Sequence, residues 1–198
     1  MKSIFTGQLG FVLIPENKVE HRAVELTSGY KYGSSIDLGG QHMPHITLYH
    51  AELENVPISV VFEFLNGLAA TLPLSLSFTN MASFGGKFLF WDVERSDKLV
   101  ALHEYALGLS KYFVAPTGES QIDREKITLS SAESENMTKF GHPLVGELWR
   151  PHITLGYYPS GVPYWTVSEK FEGSTALVAF ARIGEFGTVS KIIVSTGP

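Results

Sequence analysis

The pentapeptide Pro44-His45-Ile46-Thr47-Leu48 returns unchanged as Pro151-His152-Ile153-Thr154-Leu155 in a chain of 198 residues that holds only seven histidines. Imidazole is the side chain whose unperturbed pKa, about 6.5, lies nearest neutrality. One imidazole can stand neutral and take a proton from water or a hydroxyl, while a second stands protonated and gives one to a leaving oxygen. Such transfers contribute on the order of 10²- to 10⁴-fold in rate. A hydroxyl beside each imidazole adds a donor for the non-bridging oxygens of a phosphate, and losing one comparable donor costs about 10²- to 10³-fold. Two such pairs suit acid–base attack at phosphorus, and the scheme needs no metal.

A structural repeat accounts for the return of Ile and Leu, which build a core. It gives no reason for a titratable ring and a hydroxyl to return with them. Read as a regular strand, the first copy places His45, Thr47 and Tyr49 on one face and Ile46 and Leu48 on the other. The second copy places His152 and Thr154 together, opposite Ile153 and Leu155. Each strand then offers an imidazole and a hydroxyl side by side. A pseudo-twofold relation between the halves would face the two pairs across a groove.

Other chemistries fit less well. The chain has no cysteine, so disulfides, thiolate metal sites and a cysteine nucleophile are excluded. His42, His45 and His50 crowd together, but on a regular strand His42 and His50 face away from His45, and no carboxylate completes a zinc set. No metal and no cofactor is expected. The glycine-rich run Gly29 to Gly40 lacks phosphate-loop spacing, and no Gly-x-Ser-x-Gly occurs. His21, His103 and His142 are expected at the surface or in packing. Tyr49, Trp149, Tyr157 and Tyr158 could stack on a base, an interaction worth about 1–3 kcal/mol. Tyr49 is the first choice, because it shares the His45 face. Arg150 and Lys87 could neutralise a phosphate.

A hydrophobic content of 44% against 18% charged residues is that of a globular chain. No apolar run is long enough to cross a bilayer, and the N-terminus lacks the pattern of a signal peptide, so a monomer in the cytoplasm is expected. The formal net charge is −5 and the 15 Lys and Arg are scattered. This argues against long duplex nucleic acid and leaves a small nucleotide or an RNA end as the partner.

The elements that must position the two motifs alternate between strands and helices, which points to an α+β architecture in one domain over 1–198. Strands are expected at Phe5–Ile14, Pro44–His50, Leu74–Phe78, Lys87–Glu94, Pro151–Tyr158, Ala176–Ile183 and Ser190–Ser195, the last two joined by a turn at Gly184–Gly187. Helices are expected at Lys18–Ser28, Ile58–Thr71 and Asp97–Lys111, the last with Ser96 as N-cap, and a short one near Pro163–Lys170. Ala115 to Leu148 reads as an irregular connection, with a strand candidate at Lys126–Leu129 and a polar stretch from Ser130 to Gly141.

His45-Ile46-Thr47-Leu48 and His152-Ile153-Thr154-Leu155 resemble the paired motifs of the two-histidine (2H) phosphoesterase superfamily, which includes 2′-5′ RNA ligase-like proteins and 2′,3′-cyclic nucleotide phosphodiesterases. The strand segment Phe84 to Trp91, the amphipathic helix after it and the closing hairpin from Gly184 to Ser195 extend the resemblance over most of the chain. It implies a bilobed fold of two pseudo-symmetric halves, mainly antiparallel sheet with helices outside and the active-site groove between. It implies metal-independent catalysis, with His45 and His152 as general acid and base and Thr47 and Thr154 on the phosphate. The implied reaction is hydrolysis of a 2′,3′-cyclic phosphate, or of a 2′-5′ or 3′-5′ linkage in a small nucleotide, cyclic oligonucleotide or RNA end. The alternative is a module that binds a nucleotide or RNA end without cleaving it. The connection from 115 to 148 departs from compact members.

Overall fold

The structure is a computed structural model, described here over residues 4–28, 33–115, 126–163 and 168–196. Its strands are β1 (Ile4–Pro15), β2 (Ile46–Pro57), β3 (Ser75–Phe84), β4 (Phe88–Val93), β5 (His152–Tyr157), β6 (Ser168–Ile183) and β7 (Val189–Thr196). They form one seven-stranded sheet in the order β1-β2-β5-β4-β3-β6-β7, with every pairing antiparallel. The strand β6 pairs with β3 through Ser168–Ser174 and with β1 through Thr175–Arg182. Six strands therefore close on themselves, and β7 extends the sheet beyond β6. The seam between β2 and β5 is the narrowest, with the single paired position Ile46–Ile153.

Among the described residues four α-helices accompany the sheet: α1 (Asn17–Ser28), α2 (Ile58–Ala69), α3 (Asp97–Leu107) and α4 (Ser131–Phe140). In the first three a stripe of residues at helical spacing is buried: Val19 and Ala23, then Val61, Leu65 and Leu68, then Leu99, Leu102 and Ala106. Ser96 caps α3 by accepting the Leu99 N–H, as its place in the sequence predicts. None of these helices is long and apolar enough to cross a membrane.

Three expectations are corrected. The polar stretch from Ser130 to Gly141 is the helix α4, not irregular chain. It has no buried residue, so apolar periodicity gives no signal. It is set instead by a capping box between Ser130 and Glu133 and by Gly141 at φ 73°. Lys126–Leu129 is not a strand. In place of a helix near 163–170, β6 begins at Ser168; residues 164–167 lie outside those described.

The element that matters most for the site is a bulge in β2. Phe11 pairs with Tyr49 and Val12 with Thr47, which leaves Leu48 without a partner on β1. The two carbonyls around the extra residue are taken by side chains. The Trp149 indole donates to the Thr47 carbonyl at 3.2 Å, and His103 Nδ1–H donates to the Leu48 carbonyl at 2.6 Å. His103 Nε2 accepts the Gly146 N–H at 2.8 Å, and its ring stacks on Trp149 with centroids 4.4 Å apart. A neutral His103 thus ties α3, β2 and the segment before β5 together, with both nitrogens used. Gly10 makes room for the bulge: a Cβ there would collide with the Tyr49 carbonyl and the His50 Cβ.

Replacing His103 by Leu strands the Leu48 carbonyl and the Gly146 N–H. Each such orphan costs about 1–3 kcal/mol, so His103→Leu is expected to lower the unfolding free energy by about 2–6 kcal/mol. A urea midpoint equal to that of the parent protein would refute the stapling role.

Candidate active site

At the seam, Ile46 lies opposite Ile153, so the same position of each pentapeptide meets across the strands. In an antiparallel pair the flanking positions cross over, which brings Thr47 beside His152 and His45 beside Thr154. Both imidazoles are held by the same local device. His45 Nδ1 meets the Met43 carbonyl at 3.0 Å, and His152 Nδ1 meets the Arg150 carbonyl at 2.6 Å, two residues back in each case. An Nδ1–H donated to a carbonyl leaves Nε2 with the lone pair in the neutral ring.

The Nε2 atoms then differ. That of His152 carries no hydrogen bond among the described residues, and its ring lies on Phe90 with centroids 3.5 Å apart. That of His45 stands 3.1 Å from the carbonyl of Gly187, in the turn between β6 and β7. With carbonyls at both nitrogens, His45 can satisfy both only by donating twice, as the imidazolium. Burial opposes this: His45 is 7% exposed, and desolvation pulls its pKa below the ordinary value, partly offset by the two carbonyls.

Thr47, His152 and Thr154 line a cavity of about 640 Å³. His45 does not line it; the Gly187 backbone that contacts its Nε2 does. Phe84, Phe88, Phe90 and Phe186 give the cavity an aromatic wall near the β6–β7 turn, and Phe186 holds that turn at φ 59°.

The bulge at Leu48 changes which β2 residues face this cavity. Beyond it the buried positions are Tyr49, Ala51 and Leu53, while His50 and Glu52 are half-buried and line the cavity. Tyr49 still borders the cavity, but as a buried core residue rather than on the open face with Thr47 and His50. It is 1% exposed, and its hydroxyl donates to the Phe140 carbonyl at 2.7 Å. His50, expected on the far face, stands in the wall, and so does His142, expected at the surface or in packing. His50 escapes the sequence because the alternation that sorts faces fails at one inserted residue, and Leu48 carries no mark of it; His142 lies in the segment after α4, where no periodicity sorts faces.

The other candidate contacts are distributed as follows. Arg150 lines the cavity but is gripped by Asp92 through two bonds of 2.8 and 2.6 Å. Tyr157 is buried between Phe88 and Phe186, with ring centroids at 4.9 and 4.2 Å, and lies outside the cavity lining. Lys87 is half-buried and also outside it. Trp149 lines the cavity while serving as the His103 stack. His42 Nδ1 accepts the Asp37 N–H at 3.1 Å in the loop before β2. Among the described residues no three His, Asp or Glu side chains group to hold a metal ion.

Burial dominates the electrostatics of this region. It pushes His152 down to about 3 and His103 and His142 down to about 4, and it takes His50 well below 6.5. Neighbouring positive charge lowers them further: Arg150 acts on His152, Arg95 on His103, and the other imidazoles on His50.

No protein-family model matches the sequence, and no curated protein sequence does. Solved structures do match. TT0787 of Thermus thermophilus is 16% identical, with 95% of this chain and 96% of that one covered at a TM-score of 0.61. A phosphoesterase is 11% identical over 97% and 98% of the two chains, at 0.56. LigT of E. coli complexed with 3′-AMP is 9% identical over 97% and 98%, also at 0.56, and LigT has further structures with ATP and NADP+. The chain shares its α+β fold with these proteins, in agreement with the resemblance drawn from the two pentapeptides.

An unfolded histidine takes up its proton near pH 6.5, whereas folded His103 holds out to about 4. Between these values the unfolded state binds more protons, so stability is complete above pH 6.5 and is lost as pH falls toward 4. For His103 alone the loss is on the order of 3 kcal/mol. Urea midpoints should fall steeply between pH 6.5 and 4; a flat profile would show that these rings are not held neutral.

Proposed function

We propose that the chain is a metal-independent phosphodiesterase of the two-histidine type, acting on a 2′,3′-cyclic phosphate or a 2′-5′ or 3′-5′ linkage in a small nucleotide, cyclic oligonucleotide or RNA end. The observation that carries this reading is the repeated hook. Two imidazoles from unrelated stretches of chain meet at one seam, each with Nδ1 on the carbonyl two residues back; His152 has Nε2 left for a ligand, and His45 Nε2 points at the Gly187 carbonyl in the cavity wall. The neighbours support it at the level of fold, and the small nucleotides bound by LigT support the substrate size. The shared hook and the Ile46–Ile153 pairing also favour the pseudo-twofold relation between two halves.

In this reading His152 is the base. Its open Nε2 takes a proton from water, whose oxygen bonds to phosphorus. His45, set between two carbonyls that favour its charged form, is the acid and protonates the oxygen whose bond to phosphorus breaks. The Thr47 and Thr154 hydroxyls donate to the non-bridging oxygens, where charge accumulates. Asp92 keeps Arg150 at the rim and fixes the chain just before His152.

A second reading, binding without cleavage, draws on the Gly187 carbonyl at His45 Nε2, which occupies the atom that would have to give the proton. Turnover separates the two. With excess chelator, the protein should hydrolyse at least one member of a panel of cyclic and linear dinucleotide phosphodiesters. His45→Ala and His152→Ala should each lower kcat by at least about 10²-fold while the protein stays folded at the assay temperature, as read by its circular dichroism. Binding without turnover across the panel selects the second reading.

The depressed pKa values give a further expectation. A plot of kcat/KM against pH, which reports the free enzyme, should be bell-shaped with both limbs below pH 6.5. The two values belong to the pair, not to either ring. An anionic substrate stabilises both imidazolium forms, so the limbs of kcat should lie at higher pH than those of kcat/KM. Limbs at 6.5 or above in kcat/KM would contradict the burial argument.

A further inference from the structure

Beyond Thr47, the cavity wall holds two imidazoles that the proposed reaction does not use. His50 and His142 meet edge to face with ring centroids 4.6 Å apart. His50 Nδ1 is fully enclosed and has no hydrogen-bond partner, the one such side-chain atom among the described residues. An orphan of this kind costs about 1–3 kcal/mol, and a fold that keeps one at the wall of a cavity has left hydrogen-bonding capacity there unspent. His142 Nδ1 accepts the Leu144 N–H at 3.2 Å, which places its proton on Nε2.

Both rings are neutral, because burial lowers them, and charge is further disfavoured on His50 by His142 and on His142 by His103. A neutral imidazole offers one donor and one acceptor. That matches an alcohol, which both gives and takes a hydrogen bond. It matches a phosphate poorly, since phosphate oxygens only accept and are best met by cations. The next residues along the same face of β2 that line the cavity are Glu52 and Glu54. Carboxylates accept from hydroxyls and repel a second anion.

Building on the phosphodiesterase reading, we propose that His50 and His142 form a sugar subsite beside the phosphate centre. It takes the uncharged, hydroxyl-bearing substituent of the phosphodiester and rejects a second phosphate. The substrate class is then a phosphodiester with a single charged phosphorus at the His–Thr pairs, its aromatic base on the phenylalanine wall and a sugar hydroxyl against the paired rings of His50 and His142.

The test is ¹⁵N NMR of histidine-labelled protein at neutral pH, titrated with inorganic phosphate and, separately, with adenosine 2′-monophosphate. Phosphate should move the ring nitrogens of His152 and His45 and leave those of His50 and His142 still. The nucleotide should move His152, His50 and His142 together. Movement of His50 and His142 by inorganic phosphate would make the pair a second anion site and overturn the proposal. A nucleotide that moves His152 without them would also overturn it. Movement of His50 and His142 by the nucleotide with His152 still would keep the subsite and remove the catalytic reading. No movement with either probe would remove both. His50→Phe, which keeps the ring shape, should weaken nucleotide binding about tenfold, the equivalent of 1.4 kcal/mol. His50→Gln, which keeps one donor and one acceptor, should recover most of it. Equal weakening in both variants would mark His50 as a packing residue only.

Discussion

One unpaired residue, Leu48, sets the arrangement of the whole groove. A bulge leaves backbone carbonyls outside the ladder, and in a buried strand they need partners. Trp149 and His103 supply them, and those two rings lie flat against each other. The same contacts bring the segment before β5 against β2, and so fix where His152 begins. The narrow seam at Ile46–Ile153 and the wide cavity beyond it follow from this: the strands touch at one position and are then parted by the Trp149 ring and the chain that carries it.

Much of this is legible in the sequence, because it rests on periodicity. The pentapeptide repeat locates both imidazoles, and the helical stripes of α1 to α3 and most strand positions follow from apolar spacing. What is not legible has physical reasons. Face assignment along β2 assumes an unbroken two-residue period, and Leu48 breaks it, so Tyr49 goes to the core and His50 to the cavity. The helix α4 buries nothing, and its identity rests on its two caps and on Asn136, whose side chain donates to the carbonyls of Pro143 and Val145. The strand β6 is long because it serves β3 with one half and β1 with the other, a demand made by the sheet and invisible in its own residues.

The site also sets stability against chemistry. Five imidazoles are held below their ordinary pKa by burial. Where both nitrogens of the neutral ring are matched, as in His103, the result is a rigid joint. His45 faces two acceptors with one proton, and His50 has an atom with none, and both lie at the cavity or against its wall. Satisfied polar groups hold this fold together, while the unsatisfied ones mark where a ligand has something to offer.

A bulge is one residue of length, and this has an evolutionary consequence. In a flat strand the gain or loss of a single codon turns over every position downstream as a block; a bulge absorbs it. With Leu48 gone, Thr47 and Tyr49 would stand in succession opposite Val12 and Phe11, and Tyr49, His50, Glu52 and Glu54 would keep the faces they have. The His–Thr pair upstream of the bulge would keep its register as well. A lineage could therefore gain or lose this one residue and leave both its lining and its reactive centre in place, provided that Gly10 remains to let the strands approach.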